Sequence, residues 1–243
     1  MKKRKLIIDP GHGGRDPGGG TNSHWIEKDM VLKISLYQFE RFKEMGVPVQ
    51  LTRQEDIYLP PTVRTNIVRG SNADDCISNH INAGGGDGVE TIHSIYSEGK
   101  LADMVAKAIA DEGQNLRRVF TRKSKYSDKK DYYYMHRDTG AVNTVIVEYG
   151  FADSKRDDVE QLLKDWQDYA EAVVKAYCEF AGYKYTPKEN TAMSKDQGVS
   201  TWAVGAQQWA IKEGISDGKD PKDIVTREQL WTMLYRAAGS PRV

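Results

Sequence analysis

The sequence predicts an α/β fold, with a mostly parallel, twisted sheet, helices on both of its faces, and a small α-helical module at the C-terminus. Two observations predict it. Up to residue 182, short apolar runs alternate with longer segments whose apolar residues recur at helical spacing, as in strands joined by helices. Beyond that point the periodicity breaks, and two further helical segments follow. We therefore expect an α/β domain at 1–182, a linker at 183–197 and a module at 198–243.

The elements of the first domain follow from local patterns. The fully apolar run Leu6–Ile8 predicts a buried first strand, which ends at Asp9-Pro10. A glycine-rich loop follows it, and apolar residues then recur at helical spacing until Gly46, which ends the first helix. The remaining predictions, in chain order, are a strand at 47–52, a helix at 60–69, strands at 76–78 and 89–96, a helix at 100–112, strands at 132–136 and 142–147, and a helix at 157–180. The basic run at 117–130 is expected to be a solvated surface.

The C-terminal module is predicted to contain two helices, at 202–214 and 226–238, joined by a loop-like segment. Thr226 and Gln229 have the spacing of a capping box, which indicates where the second helix begins.

Composition and charge exclude several classes of protein. Lys and Arg together number 35, as do Asp and Glu, so the formal net charge is zero and we expect no nucleic-acid partner. No apolar run approaches the roughly 18 residues of a membrane span. The basic Met1–Lys5 is followed by a shorter apolar run than the about 7–15 residues of a secretory signal, so we expect synthesis in the cytoplasm without a signal peptide. Cys76 and Cys178 are predicted to be reduced, buried thiols.

Four polar residues stand where predicted strands end or helices begin. His12 follows the first strand, His80 follows the third, and Glu148 ends the most apolar strand of the chain. Glu27 opens the first helix, directly after the glycine loop. Because open α/β sheets place their sites at the carboxyl ends of their strands, we expect these side chains to meet at one edge of the sheet.

Two imidazoles and one carboxylate form a suitable ligand set for a catalytic zinc ion, which keeps a fourth position for water. A second carboxylate, here Glu148, would then act as general base and acid. Spacing alone is weak evidence for a zinc site, because the chain has no His-Glu-x-x-His helix. Glu27 also fits a plain role as an acidic residue at a helix N-terminus, and His24 is an alternative ligand on the same segment.

Five short blocks stand out along the chain, at 8–18, 27–28, 78–82, 88–91 and 147–151. In this order they resemble the motifs of the zinc N-acetylmuramoyl-L-alanine amidases of the amidase-3 family, and the resemblance covers about residues 5–182. It implies one Zn²⁺ ion bound by His12, Glu27 and His80, with Glu148 as the catalytic acid/base. The implied reaction is hydrolysis of the amide between N-acetylmuramic acid and L-alanine in bacterial peptidoglycan.

Two further residues of the matched blocks are candidates for contacts with substrate or with a ligand. Asn82 follows His80, and Glu90 could orient a ligating histidine, although a plain polar role at the sheet edge fits Glu90 equally well. Asn79 departs from the family, which commonly has isoleucine before the ligating histidine. A second hypothesis for the basic run 117–130 is contact with anionic wall polymer or with the carboxylates of the stem peptide.

Residues 198–239 resemble a single S-layer-homology module, on the pattern from Trp202 to Gly218 and from Val225 to Arg236. The resemblance implies binding to secondary cell-wall polysaccharide. The alternative is a helical hairpin that packs against the first domain or forms a homo-oligomer.

These observations favour a phage or prophage endolysin that acts at the cell wall after release from the host. A bacterial autolysin of sporulation or mother-cell lysis is the related alternative. The hypotheses from other classes are a catalytically inactive wall-binding protein and a glycosidase that uses two carboxylates without metal.

Overall fold

The structure, a computed structural model, describes residues 3–187, 204–216 and 227–237. Its contacts divide the chain into two compact units, Met1–Thr186 and Pro187–Val243. The strands described in the first unit are β1 (Leu6–Pro10), β2 (Val49–Leu51), β3 (Asp75–Asn82), β4 (Val89–His93), β5 (Leu116–Phe120), β6 (Lys123–Ser124), β7 (Ser127–Asp131) and β8 (Asn143–Phe151). Its helices are α1 (Glu27–Glu44), α2 (Pro61–Gly70), α3 (Lys100–Asp111), α4 (Tyr134–Arg137) and α5 (Asp158–Ala181).

Six of these strands form one sheet in the order β2-β1-β3-β8-β4-β5, while β6 and β7 pair as a separate antiparallel hairpin. Neighbouring strands of the sheet are parallel except β4 and β8. The predicted α/β fold with a mostly parallel sheet is confirmed. Because β4 runs against β8, the start of β4 lies at the same edge of the sheet as the end of β8.

Helices cover both faces of the sheet. Side chains of successive strand residues point to opposite faces, so each strand contributes side chains to the core on either side. In β1, Leu6 and Ile8 belong to the larger core cluster and Ile7 to the smaller one. The larger cluster includes several side chains from each of α1, α3 and α5, among them Val31, Val105 and Val173. The smaller cluster takes Val68 from α2 and Met135 from α4. These two buried clusters hold the sheet between the helices. The edge of the sheet positions the residues of the candidate site.

One local prediction is wrong. The strand predicted at 132–136 is the single-turn helix α4, entered from the extended Tyr133. Consecutive tyrosines favour strands locally, but packing of Met135 against the sheet decides the conformation. The run 117–130 is mostly exposed, as predicted, although it also includes most of the edge strand β5 and of the β6–β7 hairpin. Cys76 and Cys178 are free and buried, as predicted.

The end of the first unit extends into the predicted linker. The Tyr183 hydroxyl donates to the Arg4 carbonyl at 2.8 Å, and the Tyr185 hydroxyl donates to Glu171 Oε1 at 2.8 Å. Packing of these two tyrosines therefore belongs to the α/β unit.

The second unit contains two described helices, α6 (Val204–Lys212) and α7 (Arg227–Ala237), which lie within the two predicted helical segments. Trp202 and the capping residue Thr226 lie outside the described residues, so the resemblance to an S-layer-homology module stays a prediction. Among the helices that the structure describes in either unit, none combines the length and the apolar character needed to cross a membrane.

Candidate active site

Three strands bring polar residues together at the carboxyl edge of the sheet. His80 in β3 pairs with Glu148 in β8, and Glu148 pairs in turn with Glu90 in β4. Paired residues of adjacent strands lie side by side, so these three side chains start from neighbouring points of one surface. The rigid sheet therefore fixes the relative positions of a candidate ligand and the candidate acid/base.

His12, Glu27 and His80 converge at this edge. Glu27 Oε1 lies 3.1 Å from His12 Nε2 and 3.2 Å from His80 Nδ1, and the two imidazole centroids are 4.9 Å apart. One ligand atom from each residue lies within 4.8 Å of the others. His24, the alternative ligand, is exposed and does not belong to this group.

The donor set and its spacing fit a tetrahedral metal ion. Ligand atoms about 2.0–2.1 Å from a tetrahedral zinc ion lie roughly 3.3 Å from each other. The two nitrogen-to-oxygen distances at Glu27, 3.1 and 3.2 Å, are close to that value. Two imidazole nitrogens and a carboxylate oxygen are also the ligand types of catalytic zinc sites.

Backbone groups and close packing hold Glu27 in place. Its Oε2 accepts a hydrogen bond from the Gly20 amide at 2.7 Å, and its Oε1 accepts one from the Ile81 amide at 3.0 Å. A Cβ atom at Gly18 would overlap the Glu27 carboxylate, and one at Gly11 would overlap the His80 ring. These two glycines are therefore required by the close approach of the candidate ligands.

The loop that carries His12 is clamped by buried arginines. His12 has a φ of 56°, in the left-handed region that non-glycine residues rarely adopt. Arg64 donates to the His12 carbonyl at 2.6 Å, to the Pro10 carbonyl at 2.7 Å and to Asp9 Oδ1 at 2.6 Å. Arg53 donates to the Gly11 carbonyl at 2.8 Å. Charge-assisted hydrogen bonds of this kind stabilise a backbone conformation that would otherwise be unfavourable.

Asp16 orients the His12 ring. Its Oδ2 lies 2.9 Å from His12 Nδ1, so that Nδ1 donates to Asp16 and Nε2 is left to bind a cation. Metal-ligating histidines characteristically donate their second ring N–H to a carboxylate in this way.

The charge balance of the three candidate ligands suits a cation. Burial disfavours the charged form of His12, but the hydrogen bonds and negative charges of Glu27 and Asp16 outweigh burial and raise the pKa of His12 to about 9. Burial would raise the pKa of Glu27, whereas the hydrogen bonds of His12 and His80 lower it well below its usual range. Without a metal, the cluster holds a proton beside a carboxylate; a divalent cation can take that proton's place.

Glu148 has the properties of a proton carrier. Its Oε2 is buried and has no hydrogen-bond partner among the residues that the structure describes. Burial raises the pKa of Glu148 to about 7; the charges of Glu27 and Glu90 add to this rise, while His80 opposes it. A carboxyl group with such a pKa can both accept and return a proton near neutral pH.

All four residues line one cleft of about 470 Å³. Its walls include Tyr58, Tyr133 and Tyr134, and its floor includes Ile146. The cleft joins the candidate metal ligands and the acid/base in one space that a substrate can enter.

The chain's relationship to known proteins agrees with this geometry. The family described as N-acetylmuramoyl-L-alanine amidase matches residues 6–179. The chain belongs to this amidase family.

Several characterised members of the amidase family are similar to the chain. The sporulation-specific N-acetylmuramoyl-L-alanine amidase of Bacillus subtilis is 39% identical over 94 residues, which are 36% of this chain and 34% of that protein. The germination-specific N-acetylmuramoyl-L-alanine amidase of the same organism is 32% identical over 136 residues, or 49% of this chain and 56% of that protein. The chain thus spans between a third and about half of the length of these two relatives.

Solved amidase structures share the fold of the first unit. The N-acetylmuramoyl-L-alanine amidase AmiC2 of Nostoc punctiforme has a TM-score of 0.62 at 26% identity, over 74% of this chain and 98% of that chain. The catalytic domain of CwlV from Bacillus (Paenibacillus) polymyxa has a TM-score of 0.65 at 23% identity, over 74% of this chain and 99% of that chain.

In this amidase-family chain, Glu90 contacts other residues than the candidate ligands. Its carboxylate accepts hydrogen bonds from Asn82 at 3.0 Å, Arg117 at 2.6 Å and Arg118 at 2.8 Å. These contacts give no support to the hypothesis that Glu90 orients a ligating histidine, which stays a prediction; Glu90 pairs with Arg118 across β4 and β5, which places these two side chains next to each other. Asn82 lines the cleft and is the one of the two that can reach a substrate.

The departure at Asn79 belongs to a buried polar network behind the site. The Asn79 amide donates to Ser35 Oγ and to Gln38 Oε1, each at 2.8 Å, and the Tyr149 hydroxyl donates to Asn79 Oδ1 at 3.0 Å. The chain places Asn79 next to His80 and Tyr149 next to Glu148. The departure at Asn79 therefore adds buried hydrogen bonds to the two strands that carry His80 and Glu148.

Two residues that hold the site, Asp16 and Arg64, are not among the site residues that the sequence predicts. A signal for Asp16 exists, because it follows His12 by four residues within a glycine-rich loop, where a short carboxylate can fold back on the ring. Arg64 lies 52 residues from the carbonyl that it holds, and no local pattern indicates that contact.

Proposed function

We propose that the chain is a zinc-dependent N-acetylmuramoyl-L-alanine amidase, which hydrolyses the amide between N-acetylmuramic acid and the L-alanine of the peptide stem in peptidoglycan. The observation that carries the proposal is the convergence of His12, Glu27 and His80 in the cleft that also contains the unpaired Glu148 carboxyl group. Membership of the amidase family supports the choice of the scissile bond.

The candidate ligands would hold one zinc ion through His12 Nε2, Glu27 Oε1 and His80 Nδ1. When bound there, zinc would polarise the scissile carbonyl and lower the pKa of a water molecule.

Glu148 moves the proton that the reaction requires. As general base, its carboxylate takes a proton from the attacking water while the oxygen–carbon bond forms. As general acid, it then gives that proton to the amide nitrogen while the carbon–nitrogen bond breaks. The products are a muramic acid carboxylate and a peptide with a free L-alanine amino group. The pKa of Glu148 near 7 suits both transfers at neutral pH.

The experiment is a turbidity assay on purified walls with the full chain, with zinc and with a chelator. We expect clearing that the chelator abolishes and that added zinc restores, together with new L-alanine amino termini in the product. New reducing sugars that persist in the chelator would instead identify a metal-independent glycosidase and overturn the proposal. Absence of any cleavage by the zinc-loaded chain would favour the inactive wall-binding protein.

We further propose that residues 198–239 attach the enzyme to secondary cell-wall polysaccharide. The resemblance of this segment to an S-layer-homology module supports this proposal. Pelleting of the full chain with walls, before and after chemical removal of the secondary polymer, tests it; equal pelleting in both cases would contradict it. A homo-oligomer formed through these residues would appear as a larger mass in light scattering.

The biological setting that we propose is wall degradation at the end of a lytic or developmental cycle. An endolysin fits the order of a catalytic unit followed by a wall-attachment module. The alternative, an autolysin, is favoured by the names of the two Bacillus subtilis relatives, which refer to sporulation and germination. Comparison of the clearing rates for vegetative walls and for spore cortex distinguishes the two settings.

A further inference from the structure

The arginines of the basic run 117–130 differ in whether they form ion pairs. Arg117 and Arg118 both donate to Glu90, which occupies them at the edge of the sheet. Arg122 forms no ion pair with any carboxylate in the described part of the chain, and its side chain is exposed. One guanidinium group of the run is thus available to an anionic ligand.

Aromatic stacking fixes the position of this guanidinium. The Arg122 Cζ atom lies 3.9 Å from the centroid of the Tyr132 ring. The Tyr132 amide donates to the Arg122 carbonyl at 2.8 Å, which ties the backbones of the two residues together. Stacking on an aromatic face leaves the N–H groups at the edge of the guanidinium plane free to donate.

Tyr133 connects Arg122 to the cleft. The rings of Tyr132 and Tyr133 meet edge to face, with centroids 5.0 Å apart, and Tyr133 lines the cleft together with Glu148. Burial raises the pKa of the Tyr133 hydroxyl, and the guanidinium of Arg122 opposes this rise. Through these ring contacts, Arg122 lies close to Tyr133, one of the residues that line the cleft.

We propose that Arg122, presented beside Tyr133, is a specificity-determining residue that binds a free carboxylate on the peptide side of the scissile amide. The proposal rests on the proposed amidase function and names a property of its substrate. It distinguishes a stem peptide whose second residue carries a free carboxylate from one in which that group is a carboxamide.

The charge of the cleft explains why such a contact would strengthen the binding of an anionic peptide. Apart from the proposed zinc ligands, Asp16 and Glu148 line the cleft, and their negative charge repels an anionic peptide. A guanidinium fork at the rim offsets this repulsion and binds a carboxylate through two parallel N–H donors. A neutral carboxamide accepts at one oxygen only and gains less from the same group.

The test is a pair of soluble muramoyl peptides that differ only at the second residue of the stem, D-isoglutamate or D-isoglutamine. The zinc-loaded full chain should cleave the acid with a kcat/KM about fivefold above that for the amide, as expected for a partly exposed charge-assisted contact. Arg122→Gln should remove this preference by lowering kcat/KM for the acid alone. Arg122→Lys should restore part of it, because the charge remains and the fork does not.

Lys125→Gln is the matched control, since Lys125 lies in the same hairpin region with its ammonium group over Tyr126 rather than beside Tyr133. It should leave both rates unchanged. Equal cleavage of the two peptides by the wild-type chain, or an equal loss for both in Arg122→Gln, overturns the inference while leaving the amidase function standing. If the wild-type chain cleaved neither of the two peptides and also failed to cleave purified walls, the amidase function itself would be rejected.

Discussion

His80 and Glu148 occupy paired positions in the adjacent parallel strands β3 and β8. A candidate ligand and a candidate acid/base on paired positions of the two central strands cannot move apart at the backbone without breaking the sheet. By contrast, His12 comes from a loop, and its position depends on Asp16 and Arg64.

Replacement of Glu148 by glutamine should separate proton transfer from metal binding. Glutamine has the size of glutamate but cannot carry the proton, so we expect kcat to fall by about 10²–10⁴. Because Glu148 is not among the three candidate ligands, the variant should still bind one zinc ion. Metal analysis and the rate of wall cleavage check both expectations. Glu179→Gln, at an exposed position of α5, should change neither; turnover retained in Glu148→Gln would reject the acid/base role.

Removal of the Asp16 carboxylate should weaken zinc binding. In Asp16→Ala, the His12 Nδ1 loses its partner at 2.9 Å, and with it the fixed ring orientation that leaves Nε2 for the metal. We expect zinc affinity to fall about 10–100-fold, as for other partners of ligating histidines. Competition with a chromophoric chelator measures it. Asp128→Ala, in the exposed hairpin, is the control, and equal affinities of the two variants would contradict the prediction.

The buried pair of Arg64 and Asp9 should matter far more for folding than an exposed pair. The two side chains are 3% and 0% exposed, so Arg64→Met leaves the Asp9 charge buried without its guanidinium. We expect the free energy of unfolding to fall by about 3–5 kcal/mol. The exposed pair of Lys107 and Asp103 provides the comparison, and Lys107→Met should cost about 0.5 kcal/mol or less. Urea unfolding of the metal-free chains measures both; similar losses would show that burial is not the deciding factor.

Protonation of His136 should destabilise the fold at low pH. Burial lowers the pKa of His136 to about 4 from 6.5, although Asp131 opposes the shift, and its Nε2 has no partner in the described residues. The unfolded chain thus binds more protons between these two values, and the contribution of neutral His136 to stability is lost as the pH falls from 6.5 to 4. Over that window, His136→Gln should gain about 3 kcal/mol relative to the wild-type chain. Chemical unfolding at a series of pH values measures the difference in stability between the two chains. A difference that does not change with pH would contradict the prediction.

Much of the candidate site could be predicted because its residues stand at recognisable places in the chain. Apolar runs that predict strands precede His12 and His80, and a third such run ends at Glu148. Glu27 begins a segment with helical periodicity. In a parallel sheet such positions meet at one edge whatever the order of the strands. The structure brings these four residues together and leaves out the alternative, His24.

The sequence by itself determined the α/β fold, the buried strands and the residues able to form the site, because these depend on local periodicity and on short motifs. Only the tertiary structure decided that β4 runs against β8, that Glu90 contacts arginines of β5, and that residues 134–137 form a helix. It also decided that Arg64 supports the His12 loop. The physical reason is that these features depend on contacts between segments far apart in the chain, where burial and charge pairing outweigh local preference.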